Sequence, residues 1–174
     1  MYYPLGPGMA HRPTYALDWS YHEAEGQAVA TSRTGLDDDQ EAYARADKHL
    51  RSVAELLKPR HRFEVGRRES VPFVSEAQSD TVNIEVTYRI VEAADSGKDG
   101  NSVVFSRVDA HWLENDYETV TRTVDQPDRV LRVRHPIDDF TLALTQNPSG
   151  ELSISATSPK VRRTGAPPPT PAID

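Results

Sequence analysis

Asp109 and His111 stand two residues apart in a stretch that reads as a β-strand through Val104, Val108, Ala110 and Trp112. On a strand that spacing sends both side chains out of one face, where a carboxylate can orient an imidazole for general acid–base work. Val103, Phe105 and Leu113 share that face, but it is expected to be wet, and a lone Asp-x-His is not a motif. The two are catalytic candidates, and no catalytic residue is assigned. His22-Glu23-Ala24-Glu25-Gly26 opens like the zinc-protease helix H-E-x-x-H, with Gly26 where the second imidazole must stand. His135 with Asp138 and Asp139 offers metal-ligating groups, yet Pro136-Ile137 between them reads as a bend, and acidic pairs are common in turns. The six histidines repeat no ligand spacing, so neither a metal nor a cofactor is expected.

The sequence holds no G-x-x-x-x-G-K-[ST], no G-x-G-x-x-G and no G-x-S-x-G, which inclines the reading away from an enzyme. Arginine supplies 16 of the 20 basic residues, and it suits bidentate contact with carboxylate or phosphate. Arg60, Arg62, Arg67 and Arg68, with Arg132 and Arg134, are the anion-binding candidates. Acidic residues such as Glu64, Glu69 and Asp128 lie among them, and no aromatic interleaving supplies stacking platforms. Pairing of arginine with carboxylate is preferred, and nucleic acid is an unfavoured partner. Tyr15, Trp19 and Tyr21 share one face of a first strand; with Tyr88 and Trp112 they form either core or the wall of a ligand or interface site.

These groups must be positioned by elements that the patterning of the chain foretells. Tyr43, Ala46, Leu50, Val53 and Leu57 step by 3 and 4 and predict an amphipathic helix over 38–58, started by Asp37-Asp38-Asp39 and stopped by Pro59. Its opposite face carries Arg45, Lys48, Arg51 and Glu55, with Asp47 set to meet Arg51 at i,i+4. Most other segments alternate with period two, most clearly Val82, Ile84, Val86, Tyr88 and Ile90. Separate weaker strands are expected at Phe63 and Val65, at Val71 and Phe73, near 103–112, at 140–144 and at 152–156. Asn147-Pro148-Ser149-Gly150 is a hairpin turn between the last two, and 96–101 is expected to turn between strands near 90 and 103. The interval 113–135 reads as edge strands and loop.

One-sided strands joined by short turns indicate an α+β fold: a mostly antiparallel, curved sheet packed against one long amphipathic helix. The 174 residues divide into a flexible arm over 1–13, a single domain over 14–157, and a proline-rich basic tail over 158–174 that is expected to lie outside the fold. A net charge of −7 excludes a protein that meets nucleic acid or anionic membrane with its whole surface. The absence of cysteine removes disulfides and thiolate chemistry. No signal peptide or membrane-spanning stretch is visible, so a soluble protein of the cytoplasm or of a particle is expected. The leading expectation is a non-enzymatic binding or assembly module with a protein partner or its own copies. The alternatives are a small-molecule binder or small enzyme with a pocket between helix and sheet, and local nucleic-acid contact through the arginines.

Overall fold

A computed structural model describes residues 35–72, 80–92, 100–123 and 128–173; the expected arm over 1–13 and the strand carrying Tyr15, Trp19 and Tyr21 lie outside them. Helix α1 (Asp39–Leu57) forms where the 3,4 spacing predicts it. Asp38 caps it, its carboxylate accepting from the amides of Gln40 at 3.0 Å and Glu41 at 3.1 Å. Tyr43, Ala46, Leu50, Val53 and Leu57 are all buried against the sheet. Asp47 is buried too. It makes no pair with Arg51 but receives both terminal nitrogens of Arg68, at 2.6 and 3.0 Å, so a carboxylate expected on the wet face ties α1 to the first strand.

That strand, β1 (His61–Pro72), is continuous where two short ones are expected, and it pairs antiparallel with β2 (Thr81–Glu92). The register slips between Val65 and Arg67. Gly66 makes this bulge possible, since a Cβ there would meet the Thr87 carbonyl oxygen at 3.0 Å. On β2, Val82, Ile84, Val86, Tyr88 and Ile90 all point into the core.

Residues Asn101–Glu114 overturn the expectation of a strand near 103–112: they form a second helix, α2. The buried set is Val104, Phe105, Val108, Asp109 and Trp112, which is a helical stripe; Ala110, assigned inward on the strand reading, is exposed. The expected hairpin over 96–101 therefore has no second strand to reach. Among the described residues the fold is α+β with two helices, and α2 packs on α1 and on β4.

The interval beyond α2 provides β3 (Glu118–Thr123) and β4 (Arg129–Arg134), followed by β5 (Thr141–Gln146) and β6 (Leu152–Thr157). The β5–β6 turn falls at Asn147–Gly150 as expected, with Gly150 at φ 83°. The strand order is β1-β2-β6-β5-β4-β3, every pairing antiparallel, and β3 is an edge strand whose residues are all exposed. Residues 158–173 belong to this sheet and to α1, not outside them. Strand β7 (Val161–Arg162) extends the pairing on β2, Val161 and Ile173 are buried, and Thr164 hydrogen-bonds Asp39. Among the described residues no helix is long and apolar enough to cross a membrane.

Candidate functional site

One helix and two local reversals bring four polar side chains together. His49 lies on α1 beside the apolar seam, between Ala46 and Val53, and is buried. Tyr117 follows the end of α2, where Asp116 at φ 62° turns the chain and the Tyr117 amide donates to the Trp112 carbonyl at 3.0 Å. His135 and Asp138 occupy the β4–β5 turn. There the Asp139 amide donates to the His135 carbonyl at 3.0 Å and Asp139 itself sits at φ 56°. Pro136-Ile137 is the bend expected from the sequence, and its effect is to fold Asp138 back onto His135.

The Asp138 carboxylate, 1 % exposed, is the hub. One oxygen lies 2.9 Å from His49 Nε2 and the other 2.7 Å from His135 Nδ1. His49 Nδ1 lies 2.6 Å from the Tyr117 hydroxyl. With both imidazoles in the neutral form, these partners place the protons: each ring donates to the carboxylate, and Tyr117 donates to Nδ1 of His49. Burial pushes the Asp138 carboxyl up, but the hydrogen bond of His49 and its charge when it is an imidazolium, then those of His135, outweigh it and hold the group down to about 2. Burial, with the nearby Asp138 charge, pushes the Tyr117 phenol up to about 12, so it stays a donor at neutral pH. The His135 ring centroid lies 4.9 Å from those of both His49, edge-on at 62°, and Tyr117, tilted at 53°.

An open pocket of about 230 Å³ lies over this set, rimmed by Arg45, Lys48, Ser52 and Asn115. Arg45 Nη1 comes within 3.7 Å of Asp138, and Lys48 is exposed. With His135 Nδ1 committed to Asp138, Nε2 is its remaining nitrogen, and among the described residues nothing hydrogen-bonds to it. The pocket thus combines two cations, neutral donors and an imidazole acceptor. His49, His135 and Asp138 also present ligand atoms within 4.8 Å of one another.

No family model, no curated protein and no solved structure matches the chain. The chemistry of the pocket is therefore the ground for a functional reading.

The residues singled out from the sequence lie mostly elsewhere. Asp109 and His111 do not form a pair: on a helix, residues two apart diverge by about 200°. Asp109 binds Arg122 at 2.9 Å, while His111 Nε2 lies 3.3 Å from Ser52 Oγ, behind the pocket rim. Tyr88 and Trp112 are fully buried core residues and line no surface site. The Tyr88 hydroxyl is held by Arg68 at 3.1 Å. The arginines form no single stripe, because β1 and β4 are four strand spacings apart, about 19 Å. Arg68 is spent on Asp47, Arg67 on Glu69 and Arg134 on Glu118, while Arg60, Arg62 and Arg132 are exposed. A second cavity, about 270 Å³ between α2 and strands β3 and β4, holds Arg122 and Arg129, already engaged by Asp109 and Ser102. His49 and Tyr117 carried no chemical signal in the sequence beyond a polar residue inside a helical seam.

Proposed function

We propose that this protein binds a small anionic molecule in the pocket over Asp138, the small-ligand reading among those open from the sequence, with a different Asp/His set. The observation that supports it is the joining of a cationic rim, Arg45 and Lys48, to a floor whose carboxylate is already hydrogen-bonded by two imidazole donors. A bare carboxylate floor would repel an anion, whereas one occupied by N–H donors and flanked by two cations leaves net positive charge. A ligand carboxylate or phosphate is met by Arg45 and Lys48, with Asn115 and Ser52 as neutral partners.

The test is a nitrogen-detected NMR titration of the full chain with inorganic phosphate and with succinate. Expected are saturable shifts at the His49 and His135 rings, weakened about tenfold in the Arg45→Ala/Lys48→Ala double variant. Shifts confined to Arg122 and Arg129, or no saturable shift at millimolar anion, would remove the reading. Association with a protein partner or a second copy is a separate proposal, supported by the outer edge of β1, on which no other strand pairs among the described residues, and by its exposed Val65 and Val71. Light scattering tests the second-copy form of it: a monomer mass at all concentrations counts against self-association.

A further inference from the structure

We infer that His49 Nε2, His135 Nδ1 and one Asp138 oxygen form a binding site for a divalent first-row transition ion. This deepens the pocket reading above, because the ion's open position is where the anion would land. Two imidazoles and one carboxylate are a donor set suited to zinc, cobalt, nickel or iron and poorly suited to magnesium or calcium, which take oxygen ligands. The three ligand atoms lie within 4.8 Å of one another. Metal–ligand bonds of about 2.0–2.2 Å place tetrahedral ligand atoms roughly 3.3 Å apart. The present contacts of 2.9 Å from His49 and 2.7 Å from His135 run to different Asp138 oxygens. One contact therefore opens by about half an ångström, while the other imidazole turns toward the same oxygen and the two nitrogens, within 4.8 Å, draw together by up to about 1.5 Å, a side-chain adjustment.

The surroundings are those a ligating histidine requires. Such a residue passes its second N–H to an oxygen acceptor, and His49 already has Tyr117 Oη 2.6 Å from its other nitrogen. Metal uptake then balances without net proton release. The proton of His49 moves from Nε2 to Nδ1 and is donated to Tyr117 Oη, whose own proton rotates away. The proton of His135 moves from Nδ1 to Nε2, on the pocket side. The ligands come from α1 and from a turn closed by two backbone hydrogen bonds, His135 to Phe140 at 2.8 Å and Asp139 to His135 at 3.0 Å, so the set is held before an ion arrives. Three protein ligands leave a coordination position open. Arg45 and Lys48 beside it disfavour a bare dication and favour one that carries an anion, so ion and anion should bind with positive coupling in both directions.

The experiment is titration of the full chain with cobalt(II), read by its visible ligand-field absorption and by paramagnetic NMR shifts, with magnesium(II) as the control. Expected are one equivalent bound, the largest shifts at the His49 and His135 rings, and no competition by magnesium. Tyr117→Phe should weaken binding by roughly tenfold, and Asp138→Asn by tenfold or more, with melting curves confirming that each is folded. The paramagnetic shifts of the unaltered chain need no variant and decide the site even if Asp138→Asn does not fold. Cobalt shifts centred on other histidines, or affinity unchanged in Asp138→Asn, would overturn the inference. Repeating the phosphate titration with a chelator present separates the two readings. Phosphate binding without any cobalt binding sinks the metal site alone. Cobalt bound at His49 and His135 whose spectrum no anion perturbs upholds the metal site and sinks the anion pocket.

Discussion

At the scale of single residues, Asp138 is where burial and charge are most finely opposed. Its carboxyl is held near 2, against an ordinary value of 3.8, because two imidazole donors outweigh its desolvation. A carboxyl depressed in the folded state contributes stability that is complete above its unfolded value and is lost as pH falls through the folded one. The metal-free chain should therefore lose about 2 kcal/mol between about pH 4 and pH 2 from this group. Urea melts across that window should show the step, and Asp138→Asn should lack it. The variant should also start about 3 kcal/mol less stable at neutral pH, since one amide oxygen cannot serve two N–H donors, one buried and one half-buried. An unchanged step in Asp138→Asn would assign the acid sensitivity elsewhere. Of this, the sequence shows His135 and Asp138 as neighbouring ligand-type groups and the bend at Pro136-Ile137, but not their joining to His49 and Tyr117. His49 lies 89 residues from Asp138 and 68 from Tyr117, and no local pattern joins them.

At the scale of elements, α1, β2 and the β5–β6 turn could be read because each obeys one period without interruption. Helix α2 could not, for a physical reason visible in its residues. Val103, Val104 and Val108 favour strands, and Val108, Ala110 and Trp112 fit a period of two. That pattern has a gap at Ser106, whereas Val104, Phe105, Val108 and Trp112 fill a helical stripe with none. Placing Asp109 and His111 on one face was a consequence of the wrong period. Between elements, the buried Asp47–Arg68 pair is what fastens α1 to β1, and Arg68 is only 7 % exposed. Asp47→Asn should cost about 3–5 kcal/mol in chemical denaturation by leaving a guanidinium buried and uncompensated. The Asp47→Leu/Arg68→Met double variant should recover most of that loss, because both charges leave together. A double variant no more stable than Asp47→Asn would show that hydrophobic packing cannot replace the pair at this joint.

At the scale of the whole molecule, the tail shows where composition misleads. Five prolines and three basic residues after Ser158 gave little to bury, and an extended segment outside the fold was the natural expectation. The structure uses the few anchors there are. Val161 and Ile173 are buried, Thr164 Oγ1 donates to Asp39 at 2.6 Å, and Arg51 donates to the Ala172 carbonyl at 3.1 Å, so the segment runs along α1 from its first turn to its fourth. Proline makes this feasible, since a chain with few unfolded conformations loses little entropy on being laid down. Ending the chain after Ser158 removes β7 and both apolar anchors, each worth about 1.5–3 kcal/mol if fully transferred to water, less the ordering entropy regained. It also strips the buried Asp39 of its Thr164 partner, at the positive end of α1. A loss of about 2–3 kcal/mol, or about 5–10 °C in Tm, is expected by calorimetry, with the pocket over Asp138 still folded because its residues lie on α1, the turn after α2 and the β4–β5 turn, and none belongs to the tail. An unchanged Tm would mean that the tail rests on the domain without contributing to it, and the expectation of a tail outside the fold would regain its footing.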